Sequence, residues 1–298
     1  MWGKGVSLYD SDYDRRMILT ALVDTEILAR QLAGPDWVVF DCRHDLAASE
    51  RGRRDYAESH IPGARFLHLD EDLSAPKTGT NGRHPLPDPD ALMEKLSRAG
   101  VDSRKQVVAY DAQGGMVAAR LWWLLRWLGH LPVAVLDGGW NKWTAEGRPQ
   151  SAELPEPLPT RFSGKPGSSW VSAGYVRTHL DDGGMVLVDA RTPDRFRGQN
   201  ETLDPVGGRI PGARNRSYRD NLDANGCFKP PATLRQDFAG VLGGADSETV
   251  VHYCGSGVSA CHNLLAMETA GLRGALLYPG SWSEWCADPS RPVARGEP

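Results

Sequence analysis

Short apolar runs rich in β-branched residues alternate along the chain with longer stretches whose apolar positions recur at helical spacing. Residues 37–41, 66–69, 107–110 and 133–136 predict buried strands. Between them, Ile27, Leu28 and Leu32 mark one face of a helix capped by Asp24 or Thr25 and closed at Gly34. Further helices are predicted over 54–59, over 88–99 and, strongly apolar, over 116–128. The same order then returns: a helix over 174–180, a strand over 185–189, a helix over 232–242, a strand over 249–253, and helical spacing again from Leu264.

Turn motifs recur in step with these elements. His60-Ile61-Pro62-Gly63-Ala64 reappears as Arg209-Ile210-Pro211-Gly212-Ala213, and Leu136-Asp137-Gly138-Gly139-Trp140 is answered by Leu277-Tyr278-Pro279-Gly280-Ser281-Trp282. A repeat of this length is two copies of one domain, since solenoid periods are far shorter. Alternating strands and helices predict an α/β fold with a largely parallel sheet flanked by helices in each copy. The expected division is an N-terminal tail over 1–21, a first domain over 22–150, a proline-rich linker over 151–167 and a second domain over 168–298. Trp122, Trp123, Trp127, Trp140 and Trp143 are expected in core and interdomain packing.

Composition narrows the function. The chain has 298 residues, 40% hydrophobic and 24% charged, with a formal charge of -4, so it carries no electrostatic footprint for nucleic acid or an anionic membrane. An anionic ligand would need a local basic pocket. The polar N-terminus and the lack of a long apolar run predict a cytoplasmic protein without a membrane span. Five scattered cysteines, Cys42, Cys227, Cys254, Cys261 and Cys286, suit neither a disulfide framework nor a zinc site. No phosphate-binding glycine motif with a following lysine is present, and neither cofactor nor metal is expected.

The chemistry gathers at Val250-Val251-His252-Tyr253-Cys254-Gly255-Ser256-Gly257-Val258-Ser259-Ala260. Cys254 falls where a strand hands over to a helix. Gly255 and Gly257 let the backbone curl so that successive N–H groups face the sulfur, and the helix N-terminus adds positive potential. A thiolate held there is a nucleophile, and the same cradle suits the anionic outer sulfur of a persulfide. The alternative is a buried structural cysteine at a strand end. A phosphate-binding C-x5-R loop would need arginine at position 260, where this chain has Ala260. Cys261 stands about two helical turns beyond Cys254 if both are helical, which leaves a redox partnership open. In the first copy the position matching Cys254 holds Asp111, a carboxylate that cannot carry transferable sulfur, so that copy is expected to be chemically silent.

The loop CGSGV followed by Ser259 resembles the active-site loop of the rhodanese superfamily, most like its 3-mercaptopyruvate sulfurtransferases, in which an inactive N-terminal copy precedes the active one. The resemblance implies that Cys254 carries sulfur as a persulfide, in a loop formed by Gly255, Gly257, Val258 and Ser259. It implies that Ser256, His84 and Asp70 move a proton, the last two reaching over from the silent copy. Arg195 would bind the donor's carboxylate or sulfonate, while Arg191 pairs within its own domain. Mercaptopyruvate-specific relatives place a further arginine downstream, where this chain reads Glu201-Thr202-Leu203-Asp204-Pro205. The implied partners are a small anionic sulfur donor and, as acceptor, cyanide or a thiol such as thioredoxin. Mercaptopyruvate is the expected donor; thiosulfate, or a sulfur-accepting module without turnover of its own, are the alternatives.

Overall fold

The β-branched runs pair into two separate parallel sheets in the computed structural model, which describes residues 18–297. The first half runs β1 (Leu22–Val23), α1 (Thr25–Gln31), β2 (Trp37–Asp41), α2 (Arg51–Glu58), β3 (Arg65–Phe66), α3 (Pro89–Arg98), β4 (Gln106–Tyr110), α4 (Ala118–Trp127), β5 (Val133–Leu136) and α5 (Gly139–Ala145). The second runs α6 (Ala173–Thr178), β6 (Val186–Asp189), α7 (Pro193–Phe196), β7 (Arg214–Asn215), α8 (Pro231–Leu242), β8 (Val250–Tyr253), α9 (Ser259–Thr269), β9 (Leu276–Leu277) and α10 (Ser281–Trp285). Strand orders are β1-β5-β4-β2-β3 and β7-β6-β8-β9, with every pairing parallel. Helices cover both faces, which is why the central strands are buried along their length and mostly apolar.

Register repeats along with topology. Asp41 pairs with Tyr110 and Asp189 with Tyr253. In each copy the tyrosine hydroxyl accepts the amide of the isoleucine in the turn motif, Ile61 or Ile210, at 3.2 Å. Arg43 and Arg191 each clamp the aspartate of their own sheet. These buried polar groups are satisfied locally, as the interior requires.

The halves share one core. Helix α4 is buried on almost every side because it lies between its own sheet and α9. Trp123, Leu124, Leu264 and Leu265 belong to a single apolar cluster that crosses the interface. Each such side chain contributes about 1.5–3 kcal/mol on burial, so the two copies are welded together. Trp122, Trp127 and Trp143 are likewise buried, while Trp140 is half-buried under Arg43.

Local chemistry explains where the elements depart from the hydrophobic pattern. Asp24 caps α1, its carboxylate accepting the Ile27 amide at 2.7 Å. The strand predicted over 66–69 ends at Phe66, because the Asp72 carboxylate captures the His68 amide at 2.6 Å and turns the chain outward. Helix α2 starts earlier than predicted, at Arg51, and both tryptophan turn motifs continue into short helices, α5 and α10. Most of the expected tail lies outside the described residues. Its final part is fastened: Leu19 exchanges hydrogen bonds with Gln106, and Thr20 accepts the Trp122 indole N–H at 2.8 Å. Residues 151–167 form no helix or ladder, yet Ser151, Thr160 and Lys165 are tied back to the first half. All five cysteines are free. No helix among the described residues is long and apolar enough to cross a membrane.

Candidate active site

Cys254 follows β8 at the carboxyl edge of the second sheet, beside β6, where the strand order reverses direction; crevices of this kind are where open α/β sheets bind ligands. The residue is 2% exposed. Its sulfur accepts the Gly257 amide at 3.1 Å and, more loosely, the Ser256 amide at 3.5 Å. Gly257 has φ +78°, and a Cβ there would lie 2.3 Å from the Pro279 carbonyl oxygen, so only glycine permits this curl. The amides of Val258, Ser259 and Ala260 have no protein acceptor among the described residues. They open the first turn of α9, where orphan donors and the helix dipole favour negative charge. The loop thus holds one sulfur and keeps donors free for an anion attached to it.

Ser256, His84 and Asp70 come together across the interface. His84 Nδ1 lies 2.7 Å from Ser256 Oγ, and His84 Nε2 lies 3.2 Å from Asp70 Oδ1, off the ideal hydrogen-bond line but within ion-pair range. The carboxylate fixes the tautomer: Nε2 carries the proton and Nδ1 accepts from the serine hydroxyl. Burial is the main force pushing the His84 pKa down to about 4, against the pull of Asp70. His84 in turn is the main cause holding Asp70 at about 2. At neutral pH the imidazole is therefore neutral beside an ionised carboxylate, able to pass a proton in either direction. His44, His68 and Asp70 bring ligand-type atoms within 4.8 Å of one another. His68 Nδ1, however, already accepts the Asp70 amide at 3.2 Å, so this cluster supports the chain of polar contacts.

Several neighbours were not evident from motif reading. Arg120, fully buried in α4, donates to His84 O at 3.0 Å, Pro85 O at 3.3 Å and Gly257 O at 3.3 Å. It staples the His84 loop to the cysteine loop. Its signal in the sequence was a charge in the middle of the apolar 116–128 stretch, which otherwise carries only Arg126 near its end, and such a charge is costly to bury unless it performs a task. Ser281 adopts φ 55°, which is rare for a residue with a Cβ. Its hydroxyl accepts the Cys254 amide at 3.1 Å and donates to Tyr278 O at 2.9 Å. Arg83, next to the expected His84, also reaches the cysteine loop.

Arg195 is 20% exposed and forked onto Glu201, at 2.9 to 3.1 Å, with Asp204 at 3.3 Å. Arg191 is buried against Asp189 and the Gly208 carbonyl, inside its own half as expected. The matching loop of the first half is filled from within: the Asp111 carboxylate accepts amides of Gln113, Gly115, Val117 and Ala118 at 2.7 to 2.9 Å. The two positions correspond in space, since Trp140 donates its amide to Asp111 O as Trp282 does to Cys254 O.

Two parallel α/β units fused through one core, with a cysteine in an amide-lined loop of the second, define a tandem protein built to carry a group on sulfur. The chain belongs to the rhodanese-like domain family, whose model matches residues 24–146 and 172–288. It is 47% identical over 279 residues to a probable 3-mercaptopyruvate sulfurtransferase of Pseudomonas aeruginosa, covering 93% of this chain and 98% of that protein. It is 36% identical over 292 residues to a putative thiosulfate sulfurtransferase of Mycobacterium tuberculosis, covering 94% and 98%. Among solved structures it resembles a 3-mercaptopyruvate sulfurtransferase from Leishmania major, with TM-score 0.80 and 29% identity over 89% of this chain and 74% of that one.

Proposed function

We propose that the protein is a sulfurtransferase that moves sulfur from 3-mercaptopyruvate to a thiol or cyanide through a persulfide on Cys254. The observation that carries this reading is the contact series Ser256 Oγ to His84 Nδ1 at 2.7 Å and His84 Nε2 to Asp70 Oδ1 at 3.2 Å. Both ends of it come from different halves and meet beside a sulfur cradled by amides. The Cys254 thiolate attacks the donor's thiol sulfur. An S–S bond forms, the C–S bond breaks, and its electron pair passes to the leaving pyruvate enolate. The proton from the donor thiol moves through Ser256 and His84 to the enolate carbon, leaving pyruvate and an anionic persulfide. Amides of the 255–260 loop stabilise the outer sulfur as charge develops there. In the second step cyanide or a thiolate takes that sulfur and Cys254 departs as thiolate.

Arg195 binds the donor's anionic end in this scheme. The first half contributes His84 and Asp70 but no nucleophile, and the division at 22–150, 151–167 and 168–298 follows from that reading. The acceptor is a small thiol, a protein thiol such as thioredoxin, or cyanide. A cytoplasmic setting belongs to the same proposal. Thiosulfate is the competing donor: Glu201 and Asp204 lower the positive charge around Arg195, and the M. tuberculosis relative is named for thiosulfate. Catalytic efficiency with each donor, with pyruvate release followed for the first, tests the proposal. A higher efficiency with mercaptopyruvate is expected. A clear preference for thiosulfate would overturn the donor assignment.

A further inference from the structure

Arg120 is the most deeply buried arginine among the described residues, 0% exposed, and every acceptor it reaches is neutral. It donates to the carbonyl oxygens of Leu73 at 3.5 Å, His84 at 3.0 Å, Pro85 at 3.3 Å and Gly257 at 3.3 Å. Its Nε is buried without a partner. No carboxylate pairs with it among the described residues, whereas Arg43, Arg191 and Arg216, which are buried too, each hold an aspartate. Carbonyl oxygens solvate a guanidinium but leave its charge whole. A buried charge without a counter-ion is among the costliest groups a fold can keep.

The acidic groups that act on Arg120 are both thiols. Burial is the main force on its pKa, pushing it down, and Cys261 and Cys254 pull it back up. Cys261 is no counter-ion, because burial pushes its thiol up to about 12; it stays protonated and donates to Gly257 O at 3.2 Å. The sulfur of Cys254 is what remains. The other cations beside its loop are already compensated, Arg83 by Asp204 and Arg195 by Glu201 and Asp204, and His84 is neutral beside Asp70. The silent copy makes the same contact without the charge. Gly114 and Gly257 stand three residues after Asp111 and Cys254, with φ +71° and +78°. Gly114 O accepts from His262 Nε2 of the second half at 3.0 Å, as Gly257 O accepts from Arg120 of the first. Burial pushes the His262 pKa down to about 4, so the loop that already contains a carboxylate receives a neutral donor. The loop whose anion is a sulfur receives a cation.

We propose that Arg120 is the standing counter-charge of the anionic Cys254 sulfur, first as thiolate and then as persulfide, supplied by the half that has no nucleophile. This rests on the reading of Cys254 as the sulfur carrier. The oxygen that Arg120 takes, Gly257 O, shares a peptide with the Val258 N–H, one of the loop donors without a protein acceptor among the described residues. The guanidinium therefore also polarises a donor of the cradle. Arg120 is a positioning residue, acting on the sulfur through that peptide and through its field.

The test is the rate at which iodoacetamide, a neutral reagent that reacts with thiolate, modifies Cys254. It is read by peptide mass in the unaltered protein, in Arg120→Lys and in Arg120→Gln. Lysine keeps the charge and loses the fork; glutamine keeps N–H donors for the carbonyls and loses the charge. In Arg120→Gln the rate at neutral pH should fall about tenfold, while the plateau reached at alkaline pH, where the thiol is ionised in any case, stays unchanged. Arg120→Lys should keep most of the neutral rate. Equal rates in all three proteins would overturn the proposal. So would a loss in Arg120→Lys as large as in Arg120→Gln, which marks a hydrogen-bonding staple, or a plateau lowered along with the neutral rate, which marks altered access. Arg120→Met serves if Arg120→Gln does not fold, and failure of both neutral variants beside a folded Arg120→Lys would assign Arg120 to structure alone and overturn the proposal. If the sulfur-carrier reading fails instead, mercaptopyruvate adds no sulfur to the unaltered protein while alkylation still follows the charge at position 120.

Discussion

Asp111 and Cys254 occupy the same turn of the same fold, and the difference between them separates a structural loop from a chemical one. In the first half the amides of the turn are consumed by the chain's own carboxylate, four of them at 2.7 to 2.9 Å. In the second half a single sulfur accepts two amides, one of them at 3.5 Å, and the donors beyond it stay free. The aspartate carboxylate extends one atom past the position of a cysteine sulfur, so it fills the place that a second sulfur would take. The first copy thus displays, in covalent form, the kind of anion proposed for the loop of the second. A second pair makes the same point: Gly139 and Ser281 share φ 55°, but only the second copy accepts a side chain in that conformation, in return for a hydroxyl on the Cys254 amide.

The largest expected effect falls on the nucleophile. Cys254→Ser should fold, with stability altered by no more than about 1 kcal/mol, and lose sulfur transfer altogether. Thermal unfolding and a cyanide-coupled assay check both parts, and residual transfer would remove the distinction between the loops. Next comes the relay. His84→Asn should slow the mercaptopyruvate reaction by about 10²–10⁴-fold while slowing the thiosulfate reaction far less, because sulfite leaves without needing a proton on carbon. Equal losses with both donors would count against a proton-transfer role.

Asp111 offers the converse experiment. Asp111→Ala strips the acceptor from four amides in a site 1% exposed and should cost about 2–4 kcal/mol in denaturant unfolding. Cys254→Ala should cost much less. A smaller effect is expected on pH. His84 in the unfolded chain takes up its proton near 6.5, and in the folded protein only near 4, so the unfolded state binds more protons between those values. Stability should therefore fall as pH drops from 6.5 to 4, and His84→Asn should flatten that slope. The mercaptopyruvate rate should stay level through pH 6.5 and decline only near 4, where the relay becomes charged. The smallest effect belongs to Ser281→Gly, which relieves a positive φ and loses one hydrogen bond, for a net stability change under about 1 kcal/mol and a modest loss of rate.

Much of this was legible in the chain because it depends on local pattern. Strands such as 107–110 and 133–136 are short apolar runs with valines, and the paired turn motifs gave away the duplication. The cysteine loop announced itself through its glycines. Two-residue strands such as β1, β7 and β9 carry no period to detect, and the His68 turn depends on a carboxylate four residues on. At the site, Cys254, Ser256, His84 and Asp70 do converge, and their roles remain the proposal made above. Arg195 reaches the loop with most of its donors already engaged by Glu201 and Asp204. Arg83, Arg120 and Ser281 escaped the sequence because their positions are set by packing between halves or by a single backbone dihedral, neither of which motif spacing records.

The central claim is that a second sulfur comes to rest in the loop of the second half and nowhere else. Intact-protein mass, followed by peptide mapping after treatment with mercaptopyruvate alone, measures this directly. The expected result is one added sulfur on Cys254, lost on addition of cyanide and absent in Cys254→Ser, with pyruvate released in equal amount. Added sulfur on Cys261 or Cys227, or pyruvate release by Cys254→Ser, would contradict it.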